Sequence, residues 1–250
     1  MKVTFEIGDR VEMTHVKSAS GQKLAERKYG SQVLDFDGYR TAKLSMPILE
    51  GKVIPLEEGD DYEISFFTNA GLYRCKARIR KRYVENNMYV MEVLFLTDLQ
   101  KYQRRKFYRL DCMFSIQYRT VSEVELLLRD SLKRDKWSSA TERERCVLAL
   151  EELPKEWSEG TVSDLSGGGI RFHCNKEIPV GAMIEVKFPL PLQNGIIPMT
   201  FLLKVMASVN YQGSRIAHEI RGEFVDVKDA EREMVVKYVF EEQRRRMRKE

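Results

Sequence analysis

Residues 160–174, GTVSDLSGGGIRFHC, carry the pattern on which the reading of the C-terminal half turns. Beyond the glycines, Ile170, Phe172 and Cys174 alternate with Arg171 and His173, the period-two signature of a half-buried strand. Ahead of them, Gly160 to Leu165 reads as another strand. Three successive glycines between two strands predict a turn in which φ > 0 is open to the backbone and main-chain N–H groups are approachable. Asp164 and Ser166 at its shoulder can bond locally to that turn or offer an acceptor and a hydroxyl to a ligand.

The same alternation recurs on both sides. Leu110, Cys112, Phe114, Ile116 and Tyr118 mark a strand before the glycine turn. Ile184, Val186 and Phe188 mark one after it, followed by Phe201, Leu203, Val205, Ala207 and Val209, and then by Ile216, His218, Ile220, Gly222 and Phe224. Six amphipathic strands linked by turns predict a small antiparallel barrel. A helix over 229–248 should close it, with Asp229 as its cap and Met234, Val235, Tyr238 and Val239 as its apolar stripe. Its basic end (Arg244, Arg245, Arg246, Arg248, Lys249) reads as a solvated terminus that complements the helix dipole. Residues 121–158 are too long for a hairpin connection. Val124, Leu127, Leu128 and Leu132 have helical spacing, and 10 charges fall within the 17 residues 129–145, so this insertion reads as a surface segment, mobile or partly helical.

The first hundred residues read as a separate β domain. Residues 60–67, 72–84 and 88–97 are strand-like, with turn signals at Asn69-Ala70-Gly71 and Asn86-Asn87. In the second of these, Arg74, Lys76, Arg78 and Arg80 alternate with Tyr73, Cys75, Ala77 and Ile79, giving a basic outer face. No Gly/Ser or Pro-rich stretch separates the halves, so we expect domains at 1–100 and 101–250 joined by a short, mechanically coupled junction. With 250 residues, 43% hydrophobic and 32% charged residues and a net charge of +4, the chain is of ordinary globular composition. No stretch approaches the ~18–20 apolar residues of a membrane span, and the N-terminus lacks the apolar core of a secretion signal, so a cytoplasmic protein is expected. Cys75, Cys112, Cys146 and Cys174 form no CxxC pair, and no metal site is expected.

One further segment carries chemistry. Lys101 to Arg109 (KYQRRKFYR) holds five basic residues, no acid, and Tyr102, Phe107 and Tyr108. Guanidinium groups clustered in a loop suit phosphate and the acceptor edge of guanine. Arg105-x-x-x-Arg109 followed by Asp164-x-Ser166-x-x-Gly169 resembles the RxxxR and D/NxSxxG signature of the PilZ family, receptors for cyclic di-GMP. The N-terminal half resembles the domain that precedes PilZ in YcgR-like flagellar brake proteins. The resemblance implies a mainly β fold of two barrel-like domains, the second a six-stranded PilZ barrel with a C-terminal helix. It implies that Arg105 and Arg109, assisted by Arg104, hold the phosphates and guanines of cyclic di-GMP. Asp164 and Ser166 would read a guanine edge, and Gly169 would let the ligand approach the backbone. It also implies a receptor without catalytic residues or cofactor, whose output, after a change in domain arrangement, falls on a flagellar stator or switch protein at the basal body.

Control of polysaccharide synthesis is an alternative output. A nucleic-acid-binding barrel is the rival of another class, against which Asp164 stands, since a carboxylate in the glycine turn would repel phosphates. An enzyme is disfavoured: His15, His173 and His218 lie in no nucleophile or metal motif.

Overall fold

The computed structural model describes residues 5–18, 27–192, 195–211 and 218–248; Ile216 and Lys249 therefore lie outside the described residues. The chain divides into two compact units, residues 1–104 and 105–250.

The first unit contains β1 (Arg10–Lys17), β2 (Lys28–Phe36), β3 (Thr41–Ser45), a two-residue hairpin β4 (Ile48–Leu49) and β5 (Lys52–Val53), β6 (Asp61–Thr68), β7 (Gly71–Glu85), β8 (Met88–Phe95) and β9 (Gln100–Lys101). Antiparallel pairing in the order β6-β1-β2-β3-β8-β7 closes because β6 also pairs with β7, giving a six-stranded barrel with β9 added to β7. Alternation drives this closure. Tyr62, Ile64 and Phe66 of β6 and Tyr73, Cys75, Ala77 and Ile79 of β7 turn inward, and burial of such side chains stabilises the unit by about 1.5–3 kcal/mol each for the large aliphatic and aromatic ones. Asn86 and Asn87 join β7 to β8 with φ of 47° and 64°, left-handed values that asparagine tolerates. The sequence reading located β6, β7 and β8 but not β1 to β3.

The basic outer face of β7 is neutralised strand by strand. Arg74 pairs with Glu63 at 3.0 Å, Arg78 with Asp61 at 2.7 Å, Arg80 with Glu92 at 3.7 Å and Arg82 with Glu57 at 3.3 Å. The first three of these cations meet cross-strand carboxylates, the ordinary way in which a charged sheet face is stabilised, and Arg82 meets one in the loop before β6.

The second unit contains β10 (Arg109–Thr120), α1 (Glu123–Arg134), α2 (Ala140–Glu152), β11 (Ser158–Ser166), β12 (Gly169–Cys174), β13 (Met183–Leu192), β14 (Gly195–Asn210), β15 (His218–Val225) and α3 (Asp229–Met247). Its six strands form a closed barrel in the order β10-β11-β12-β15-β14-β13, with Leu165, Phe172, Ile184, Leu203 and Ile220 at its centre. Val235 and Val239 of α3 join that core, with Met234 and Tyr238 packed beside them. Asp229 is not the cap of α3. Lys228 occupies that position without a side-chain bond, and Asp229 lies in the first turn, where its charge still favours the dipole.

The insertion is a pair of helices, capped by the hydroxyls of Ser122 and Ser139, which accept from Glu125 N–H and Glu142 N–H. The helical spacing is confirmed, but Val124 and Leu127 are exposed, and the buried residue of α1 is Glu125. Glu125 receives a bidentate pair from Arg119 of β10 at 2.6 and 2.7 Å and a third bond from Arg129 at 2.6 Å. Both arginines also reach Glu185 of β13 at 2.8 Å. The Arg119 hydrogen bond is the main reason why the Glu125 carboxyl is held below its ordinary range. Two cations and two anions, mutually satisfied, fix α1 to the barrel wall where a single buried charge would be prohibitive.

Candidate functional site

The segment Lys101–Arg109, continuous in sequence, is divided between the two units. Lys101 lies in β9 opposite Tyr73, and Arg74 stacks on the ring of Tyr102 at 3.7 Å. Arg104 ends the first unit, its guanidinium 5.1 Å from the Phe67 ring centre and 3.6 Å from Glu12. From Arg105 onward the chain belongs to the second unit, and Arg109 opens β10 directly opposite Ser166.

Asp164, Ser166 and Gly169 surround the turn from β11 to β12. Asp164 is only 8% exposed and accepts no hydrogen bond among the described residues. Burial pushes its carboxyl up, Arg109 and Arg171 pull it down, Asp111 pushes it up again and Arg105 pulls it down; the net direction is upward. Arg105, Arg109 and Asp164 therefore share one electrostatic environment. Breaks of register in β10 (between Asp111 and Phe114) and in β11 (between Val162 and Asp164) lie side by side next to it, the kind of irregularity that re-aims side chains at sheet surfaces. Ser166 is used by the turn: its hydroxyl donates to the Gly169 carbonyl at 3.2 Å and accepts from Gly168 N–H at 3.4 Å.

The glycines act differently from the sequence expectation. None of Gly167, Gly168 and Gly169 has a positive φ. What the site requires is the missing Cβ. At Gly167 a Cβ would come within 2.5 Å of Val236 Cγ2 and 2.8 Å of Phe107 Cδ1, and at Gly168 within 3.0 Å of Phe107 Cδ2. At Gly169 it would overlap the carbonyl oxygen of Gly222, so the backbone that approaches this glycine is that of the neighbouring strand β15.

Helix α3 frames the site. Arg232 donates to the Gly167 carbonyl at 2.7 Å and lies 5.4 Å from the Phe107 ring centre. Tyr108 meets Phe240 edge to face at 5.2 Å, and Arg246 donates to the Asp111 carbonyl at 2.8 Å. The basic end of α3 is thus partly engaged on β10, where the sequence suggested a solvated terminus.

One residue escaped the sequence reading. A row of outward-facing side chains crosses four strands: Asp111, Asp164, Arg171 and Arg221 are successive cross-strand partners. In the sequence Arg171 is no more than a polar position of an alternating strand. Its place two residues after Gly169 was the available signal.

No group of three or more His, Cys, Asp or Glu side chains able to hold a metal occurs among the described residues, and no described helix is long and apolar enough to cross a membrane. A basic rim beside a buried acceptor on the outer wall of a closed six-stranded barrel with a C-terminal helix defines a PilZ-type domain, and the PilZ domain family matches residues 141–241. The family described as flagellar protein YcgR, its N-terminal part, matches residues 6–94, and the chain belongs to the two-domain YcgR-like PilZ proteins. The PilZ match begins beyond Arg105 and Arg109.

The structure of the Bacillus subtilis inhibitor of motility MotI/DgrA is similar to this chain with a TM-score of 0.68 at 15% identity, covering 96% of this chain and 98% of that one, and shows the same fold. Escherichia coli YcgR in complex with c-di-GMP is similar at 12% identity with a TM-score of 0.46, covering 97% and 87%. The K. pneumonia MrkH–c-di-GMP complex is similar at 12% identity with a TM-score of 0.44, covering 97% and 90%. No curated protein matches the sequence.

Proposed function

We propose that this chain is a cyclic di-GMP receptor rather than an enzyme, and that ligand binds on the outer wall of the second barrel. The observation that carries this reading is Asp164, a nearly buried carboxylate that accepts no hydrogen bond among the described residues and lies two positions before the Ser166 that pairs with Arg109, within the field of Arg109 and Arg105. A ligand with phosphates and guanines satisfies both sides. Arginine forks take the phosphates, and the guanine N1–H and N2–H groups donate to the carboxylate. Ser166 and Gly169 contribute by holding the turn in shape.

Calorimetric titration with cyclic di-GMP beside cyclic di-AMP and GTP tests the reading. Cyclic di-GMP should bind tightest. Arg109→Ala should weaken it about 10- to 100-fold, the worth of a hydrogen bond to a charged group. Absence of cyclic di-GMP binding by the wild type would overturn it.

The output we propose is a slowing of flagellar motility through a stator or switch component, with ligand ordering the Arg105–Arg109 segment and thereby fixing the arrangement of the two units. The YcgR-type N-terminal domain supports that output over polysaccharide control. Small-angle scattering with and without ligand should report a change in the wild type and little change after a Gly/Ser insertion between Arg104 and Arg105. An unchanged wild-type profile at saturation would refute the coupling.

A further inference from the structure

Resting on the reading just given, we propose that Arg171 is a guanine-reading residue, donating to the O6/N7 edge of the base whose N1–H/N2–H edge Asp164 accepts. The first observation is an unsatisfied guanidinium. Arg171 Nε is buried and has no hydrogen-bond partner. Its Nη2 lies 3.7 Å from Asp164 Oδ2 and 3.7 Å from Asp111 Oδ1, within Coulombic reach of both carboxylates and too far for a hydrogen bond to either. A guanidinium is a fixed fork of five donors, and a buried Nε–H left without a partner beside a buried carboxylate that accepts no hydrogen bond is costly to the fold.

The second observation is the order of charges. Across the strands the row reads Asp111, Asp164, Arg171, Arg221, so that each inner residue has a like charge on its outer side. Like charges placed directly opposite destabilise a sheet, and folding alone favours alternation. Arg221 is relieved within its own strand by Glu219 at 2.7 Å. Arg171 has no such partner among the described residues, and 34% of its side chain reaches solvent at the wall where Asp164 faces outward.

A donor fork next to an acceptor is the complement of a molecule that presents acceptors next to donors along one rim. Guanine does so, with N7 and O6 followed by N1–H and N2–H. Adenine does not, because its N6 amino group would place a donor against the Arg171 fork and it lacks the N1–H that Asp164 would accept. Arg171 would therefore act on base identity, whereas Arg105 and Arg109, serving phosphates, would act on any cyclic dinucleotide.

The test is a two-by-two titration. Wild type and Arg171→Met, which keeps the apolar stem and removes the fork, are titrated with cyclic di-GMP and with its 7-deazaguanine analogue, which lacks the N7 acceptor. In the wild type the analogue should bind about tenfold more weakly, and Arg171→Met should weaken cyclic di-GMP binding about 10- to 100-fold. In the variant the two ligands should bind alike, because the bond each change removes is the same one. Melting temperature certifies the fold of the variant, and Arg171→Lys supplies a second reading: it should resemble the Met variant, since a point charge is not a fork. Recovery of wild-type discrimination by Lys, or an N7 penalty that persists in the Met variant, would overturn the inference while leaving the receptor reading intact. Failure of the wild type to bind cyclic di-GMP would remove both.

Discussion

Gly169→Ala separates the two explanations of the signature glycine, as a ligand clearance or as a fold requirement. The new methyl would overlap the Gly222 carbonyl oxygen and stand 3.1 Å from its carbon and 3.2 Å from Glu223 Cα. All three neighbours are backbone atoms of β15, held in register by the pairings Gly169↔Glu223 and Ile170↔Gly222. No rotamer can move them away. Relief requires β12 and β15 to part, which disturbs their ladder within a closed barrel. Inserting a methyl into packed structure costs about 1–3 kcal/mol, and a rigid backbone neighbour places this one near 3. For a unit of residues 105–250 that corresponds to a fall in melting temperature of about 6–12 °C. Scanning calorimetry without ligand should show this loss, whereas Gly30→Ala, where nothing lies within 4 Å of the added Cβ, should melt within a degree or two of wild type. If Gly169→Ala melts with the wild type yet no longer binds cyclic di-GMP, the glycine serves the ligand and the packing explanation is wrong.

Further outcomes follow from other parts of the second unit. Glu125→Gln should destabilise it by about 3–5 kcal/mol, because the buried Arg119 and its neighbour Arg129 would be left sharing the single carboxylate of Glu185; urea unfolding measures this. The Glu125 carboxyl is held low in the folded state, so its contribution is present above its unfolded pKa and is lost as pH falls through the folded one. The unfolding free energy of Glu125→Gln should accordingly fall less steeply in acid than that of the wild type. The Asp164 carboxyl is held high, and guanine N–H donors favour its charged form, so affinity for cyclic di-GMP should drop as pH falls through the raised value; Asp164→Asn should show a flatter profile in the same titrations. Replacing residues 131–145 by a short Gly/Ser bridge, which spares Glu125 and Arg129, should change cyclic di-GMP affinity less than tenfold; a loss beyond about 100-fold with the melting temperature preserved would place the insertion in the site.

The second barrel was legible because period-two burial is written in contiguous residues: five of its six strands were marked by an alternating apolar set, and β11 by its place ahead of the glycine turn. The Asn86-Asn87 turn was legible for a similar reason, since few residues accept left-handed φ. Strands β1 to β3 were harder. In β2 only Ser31 and Val33 are buried, so its alternation is faint in composition and emerges only once β1 and β3 pair with it. The glycine turn shows a different limit. A glycine run announces either left-handed backbone or absent side chains, and only the positions of Phe107, Val236 and Gly222 decide between them. Burial of Glu125 was equally invisible, because leucine spacing predicts the inner face of a helix while Arg119, Arg129 and Glu185 decide it from three separate elements. Arg105, Arg109 and Asp164 were legible as motif residues; Arg171 was not, since the missing hydrogen-bond partner of its Nε depends on what β10, β11 and β15 set beside it.

Phe107 stands between the two signature arginines and lies against Gly167 and Gly168, the two positions between Ser166 and Gly169 of the other signature segment. The paired motifs are therefore coupled by shape, and they are not free to vary independently in evolution. An alanine at Gly168 should be harmful beside phenylalanine and tolerated beside a smaller partner, so that Phe107→Leu would act as its second-site suppressor. Among natural relatives the same constraint would surface as covariation, bulk at one position traded against its absence at the other, and a signature defined only by arginine, aspartate, serine and glycine would miss the aromatic residue that couples its halves.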